Sequence, residues 1–139
     1  MNFGLPLKDL TLVAFDLETS GAYPLDSDIC EIAAVKWTNG KIIDTFQTLV
    51  KPRHPMSDFI ITIHGITNEM VSEAPTIDQV IHRFHAFVSD AVMVAHHAPF
   101  DIGFLAYEFE KKGLMFPSYP VLCSSLLSRK LFPESTNHK

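Results

Sequence analysis

Residues 11–15 (TLVAF) form an apolar, partly β-branched run that stops abruptly at Asp16-Leu17-Glu18. A strand that is apolar at successive positions belongs in the middle of a sheet, buried on both faces. The chain is thereby committed to a layered fold in which one central strand ends in two acids. Strand side chains alternate between faces, so Asp16 and Glu18 stand on the same one. Two carboxylates that close repel each other, and they are costly beside apolar surface unless a cation lies between them. Hard oxygen donors with no cysteine nearby favour Mg²⁺ or Mn²⁺. An isolated Asp-x-Glu is weak evidence, because most such pairs are solvated loop acids.

The remaining pattern supplies the other layers. Residues 29–37 and 42–50 read as strands, and Asn39-Gly40 between them is a strong hairpin signal. Pro52 and Pro55 stop the sheet. Over residues 76–89, Ile77, Val80, Ile81, Phe84, Phe87 and Val88 share one face of a helix. Residues 92–95 are a further apolar strand. A second helix follows over about 99–112, with proline in its first turn and Gly113 at its stop. Residues 121–123 suit a short fifth strand and 124–131 a third helix. The order β-β-β-α-β-α-β-α is that of a mixed α/β fold. Strands 11–15 and 92–95 are the most apolar, so they are expected side by side and parallel, with helices on both faces.

This second strand ends in His96-His97-Ala98-Pro99-Phe100-Asp101. Asp101 falls in the first turn of the next helix, where the macrodipole favours an anion. That position alone is explained by helix stabilisation. If the two strands are parallel neighbours, however, both acidic groups lie at adjacent carboxyl ends, where ligands bind in open α/β sheets. Three converging carboxylates make a metal site the better reading. Two clamped metals could activate water and stabilise the leaving oxygen in phosphodiester hydrolysis.

Composition sets limits. The chain has 139 residues, enough for one domain (1–139) with a core that needs no disulfides. Apolar residues make up 47% and charged residues 19%, which excludes a disordered tail. Cys30 and Cys123 match no zinc spacing and read as reduced, apolar residues of a cytosolic protein. The first residues, MNFGLPLKDL, lack a leader pattern, and no apolar run approaches a membrane span. A cytoplasmic location is expected. The net charge of −5 argues against a protein that coats duplex through its phosphates. It does not argue against an enzyme that holds a few nucleotides at a strand end, where bound cations supply positive charge.

Together these segments resemble a known family. Asp16-Leu17-Glu18-Thr19-Ser20-Gly21 is similar to the first motif of the DnaQ-like (DEDDh) 3′–5′ exonucleases. That family includes the epsilon proofreading subunit of bacterial DNA polymerase III. Residues 64–71 (HGITNEMV), 94–105 (VAHHAPFDIGFL) and 121–132 (VLCSSLLSRKLF) resemble further family segments in the same order. The resemblance implies a ribonuclease H-like mixed five-stranded sheet. It implies that Asp16, Glu18 and Asp101 are catalytic carboxylates holding Mg²⁺ or Mn²⁺. It implies that Thr19, the segment His64, Gly65, Ile66 and Thr67, then His97 and Phe100, border the terminal nucleotide. The implied partners are the 3′ end of single-stranded DNA or RNA and a DNA polymerase.

Two departures stand out. The family commonly has His-Asn-Ala where this chain has His96-His97-Ala98, which leaves substrate preference at His97 open. No His-x-x-x-x-Asp follows Asp101, so the general base and fourth carboxylate of the family's third motif are missing. His138 aligns with the stretch before that motif and is not its base. The sequence thus reads as an exonuclease domain truncated before its C-terminal helices, nearly inactive as it stands. The uncovered face and a mean hydropathy of +0.14 suggest self-association. The competing readings are a non-catalytic nucleic-acid- or polymerase-binding module on the same fold, and a metal-free scaffold with structural acids only.

Overall fold

In a computed structural model, residues 4–116 and 121–139 are described. The apolar run extends further than expected and forms β1 (Thr11–Thr19). β2 (Ile29–Thr38) and β3 (Lys41–Leu49) are joined by Asn39 and Gly40, with φ of 49° and 78°. Positive φ at both central residues is what a two-residue hairpin of matching twist demands, and Asn-Gly accepts it at little strain. α1 (Asp58–His64) and α2 (Ile77–Val88) follow, then β4 (Val92–Ala95), α3 (Ala98–Lys111), β5 (Leu122–Cys123) and α4 (Ser124–Leu131). The five strands lie in the order β3-β2-β1-β4-β5. β1 pairs antiparallel with β2 and parallel with β4, with Leu12 opposite Val92 and Ala14 opposite Val94. The expected parallel adjacency of the two most apolar strands is therefore present.

One face of the sheet carries the core. Val13, Phe15 and Leu17 of β1 are buried with Ile32, Ala34, Met93 and Ala95 against the apolar stripes of α2 and α3. Phe84 of α2 is fully buried, with its ring 6.1 Å from Phe15 and 5.3 Å from Phe46. Each such side chain contributes about 1.5–3 kcal/mol by leaving water. The opposite face is covered differently. Between Glu18 and Thr19 the pairing with β2 shifts register, and Cys30 is the residue left without a partner. Its side chain joins a second buried cluster with Met56, Ile66 and Val71, which docks α1. Ala14, in the middle strand of five, is exposed. Leu122 is 37% exposed, and Leu126, Leu127 and Leu131 of α4 also face solvent.

α1 was not expected from the sequence. Ser57 Oγ accepts its first free N–H, from Ile60 at 3.4 Å, and Gly65 ends it in the left-handed region at φ 78°. Asn68 fixes the loop that follows, accepting from Met56 N and donating to Met56 O at 2.8 and 3.0 Å. Among the described residues, no helix is long and apolar enough to cross a membrane.

Candidate active site

Asp16 and Glu18 lie on the sheet face opposite the main core, Asp16 exposed and Glu18 half-buried. Asp101, in the first turn of α3, is only 4% exposed. Its Oδ1 accepts the N–H of Leu17 at 3.2 Å, which ties α3 to the end of β1 between the two other acids. Burial pushes the Asp101 carboxyl up to about 6, and the charge of Asp16 adds to this; the Leu17 N–H opposes both. Glu18 is also raised, by burial and then by Asp16, with His64 opposing. The parallel pairing of β1 and β4 thus brings together the acids that the sequence only suggested were neighbours.

Beside them lies a cleft of about 410 Å³, lined by Glu18, Thr19, Phe59, Ile63, His64 and Phe100 among others. Three of the expected nucleotide-side residues, Thr19, His64 and Phe100, therefore share one cavity with a carboxylate. Thr19 is nearly buried and donates to Gly21 O at 2.7 Å, closing the turn after β1. His64 Nδ1 accepts the Ile66 N–H at 3.0 Å. In the neutral ring the proton then sits on Nε2, 3.6 Å from Cys30 Sγ. Burial, followed by the charge of Glu18, pushes the Cys30 thiol up to about 12, so it stays protonated.

The other expected residues are placed differently. Gly65 is the left-handed cap of α1, and Ile66 is buried in the Cys30 cluster. Thr67 Oγ1 accepts the Met70 N–H at 3.1 Å, which turns it into its own loop. His97 occupies left-handed backbone at φ 53° as the residue capping α3. Asn and His tolerate that region better than most residues, which accounts for the substitution in physical terms. Its Nδ1 lies 3.3 Å from Ser125 Oγ, and its ring lines a separate cavity of about 330 Å³ with Phe100 and Cys123. His138 Nδ1 pairs with Ser128 Oγ at 2.9 Å.

A supporting network escaped the sequence reading. Asp28, which precedes β2, is bonded through its backbone to Ser20 in the turn after β1. Its N–H reaches Ser20 Oγ, and its carbonyl accepts the Ser20 N–H, both at 2.8 Å. Arg53 holds Asp28 at 2.7 Å and Glu108 of α3 at 3.1 Å. Both acids are nearly buried. One guanidinium therefore locks the two segments that carry the acidic motifs. Only a salt-bridge partner distant in sequence could have revealed it, and spacing gives no such signal.

Among the described residues, no three His, Cys, Asp or Glu side chains form a ready-made metal shell. The chemistry of the donors nevertheless suits a hard divalent cation. All three are carboxylates, and two are held above their ordinary range by burial and mutual repulsion, which a cation would relieve.

DNA polymerase III PolC-type of Halalkalibacterium halodurans is 44% identical over 135 residues, covering 97% of this chain and 9% of that protein. The Bacillus cereus protein of the same name is 41% identical over 133 residues, covering 96% and 9%. The chain thus spans about a tenth of the length of these curated relatives. A structure described as exonuclease X in complex with 5′ overhanging duplex DNA superposes with a TM-score of 0.69 at 34% identity, covering 88% of this chain and 64% of that one. An exonuclease I structure, the ExoI/SSB-Ct complex, reaches a TM-score of 0.79 at 17% identity over 93% of this chain and 32% of its own, which shows the ribonuclease H-like fold. The exonuclease family RNase_T matches residues 13–139. The chain belongs to the RNase_T exonuclease family.

Proposed function

We propose that this chain is a 3′–5′ exonuclease domain that removes nucleotides from the 3′ end of single-stranded nucleic acid, most simply DNA, in a cytoplasmic replication or repair setting. The observation that carries this is the meeting of Asp16, Glu18 and Asp101 beside a cleft walled by Phe59, His64 and Phe100. In this reading the three carboxylates hold Mg²⁺ or Mn²⁺, which supplies an activated water and neutralises the leaving oxygen. Phe100 and Phe59 offer ring faces for stacking on a terminal base. Thr19 and the His64–Thr67 segment position the terminal sugar through their backbone, and His97 supports the first turn of α3. PolC-type relatives suggest a polymerase as partner, and the exposed apolar face around Ala14 and Leu122 suggests a second copy of the chain.

These 139 residues hold no His-x-x-x-x-Asp after Asp101. Without a placed base, the 139-residue chain should be slower by about 10²–10⁴-fold than a domain carrying that motif. In the limit it is a non-catalytic binding module on the same fold. Strands labelled at the 5′ or 3′ end, incubated with Mn²⁺, separate these cases. The nuclease reading expects slow loss of the 3′ label first, abolished in Asp16→Ala. Robust degradation that persists in Asp16→Ala would overturn the mechanism.

A further inference from the structure

The chain carries eleven Lys and Arg against sixteen Asp and Glu, yet its basic residues are not spread evenly. Four of them, Lys51, Arg53, Lys111 and Lys112, line one cavity of about 430 Å³ together with Asp28 and Asp78. The cavity lies between the segment after β3, the first turn of α2 and the end of α3, and none of Asp16, Glu18 and Asp101 lines it. Its framework is fixed by backbone. Lys51 donates its N–H to Pro75 O at 2.8 Å and forms an isolated parallel bridge with Thr76, so its Cα is pinned beside the start of α2.

The charges do not cancel. Arg53 is committed to Asp28 and Glu108, at 2.7 and 3.1 Å. Lys111 reaches Glu108 at only 3.5 Å, and Lys112 pairs with an exposed Asp78 at 2.7 Å. The Lys112–Asp78 pair is open to solvent on the acid's side and contributes little, so Lys112 can turn to a stronger anion, whereas Lys111 stays beside the buried Glu108. Lys51 makes no ion pair among the described residues. Four cations against the three acids Asp28, Asp78 and Glu108 leave one net positive charge on a chain whose total is −5. The amino end of α2, twelve residues long, adds its positive pole.

We propose that this cavity is a second anion site that binds a phosphate group, separate from the candidate active site. Lys51 and Lys112 provide mobile ammonium donors, and Arg53, already held by Asp28 and Glu108, forms the fixed wall. The phosphate arrives either free in solution or as part of a nucleic-acid backbone that passes beyond the catalytic cleft. The proposal does not depend on the nuclease reading, since no residue of the acidic centre takes part.

The test uses the 139-residue chain and inorganic phosphate as the probe, followed by amide chemical shifts. Saturable shifts confined to residues 51, 53, 76–78 and 111–112 are expected. Lys51→Ala combined with Lys112→Ala should weaken them at least fivefold while leaving the fold's other resonances in place. Lys51→Arg should retain binding. Shifts scattered over the surface, or equal affinity in the double variant, would overturn the proposal. Competition distinguishes the two sources. If phosphate displaces a long single strand but not a dinucleotide, the backbone is the source. If it displaces neither and still binds locally, free phosphate is the ligand.

Discussion

Replacing Arg53 by alanine should destabilise the domain by more than an ordinary surface substitution does. Arg53 Nε lies 2.7 Å from Asp28 Oδ1 and Nη2 lies 3.1 Å from Glu108 Oε1. The side chains of those acids are 11% and 3% exposed, whereas that of Arg53 is 48% exposed. Removing one partner of a buried ion pair costs about 3–5 kcal/mol, because the charge left behind is uncompensated. Water reaches the outer part of this site and Lys111 remains 3.5 Å from Glu108, so the loss should fall to about 2–3 kcal/mol. Urea denaturation, with a slope of about 1–3 kcal/mol per molar for a domain of this kind, would register it as a midpoint lower by about 0.7–3 M. Adding Glu108→Gln to Arg53→Ala should recover about 1 kcal/mol, since one of the two stranded charges, the more deeply buried one, is then gone while that of Asp28 remains. A midpoint for Arg53→Ala within error of wild type, or a double variant no better than the single, would refute the clamp.

Other consequences can be measured together. Asp101 titrates at about 6 in the folded chain, above the ordinary aspartate value, so the folded state binds that proton more tightly than the unfolded state. Its contribution to stability therefore grows as pH falls from about 6 towards 4 and is lost as pH rises through 6. Affinity for Mn²⁺ should move the opposite way, falling up to about tenfold per pH unit below 6, because metal and proton compete. A pH-independent Mn²⁺ affinity from 5 to 7 would contradict this. Ser125 Oγ at 3.1 Å, with backbone N–H groups behind it, draws the Cys123 thiol down to about 7, while Cys30 is pushed up to about 12. Iodoacetamide at pH 7.5 should modify Cys123 alone, and faster as pH rises through 7; equal labelling of both would count against these environments. With Ala14, Leu122 and Leu126 exposed, light scattering should give a mass that rises above 15.6 kDa with concentration. A constant 15.6 kDa would remove the proposed self-association.

What the sequence revealed and what it withheld have different physical origins. Strand and helix positions were readable because burial imposes periodicity. The apolar stripe Ile77-Val80-Ile81-Phe84-Val88 and the run before Asp16 follow directly from which faces are covered. The convergence of Asp16, Glu18 and Asp101 was readable through one topological step, the parallel pairing of β1 with β4. α1 was missed because its seven residues are too few to show a stripe; its Ser57 and Gly65 caps were the available signal. The Arg53 clamp depends on partners 25 and 55 positions away, and no local pattern encodes such a meeting. Ile66 and Thr67 were expected at the nucleotide. Their side chains are engaged within the protein, Ile66 beside Cys30 and Thr67 in its own loop, which leaves their backbone for that role.

If Asp16, Glu18 and Asp101 form a divalent-metal site, calorimetric titration with Mn²⁺ will register it. The 139-residue chain should bind Mn²⁺ weakly, with water completing the ligand shell. Asp16→Ala and Asp101→Asn should each abolish the heat while the circular dichroism spectrum stays unchanged. Equal heats for wild type and both variants would contradict the account.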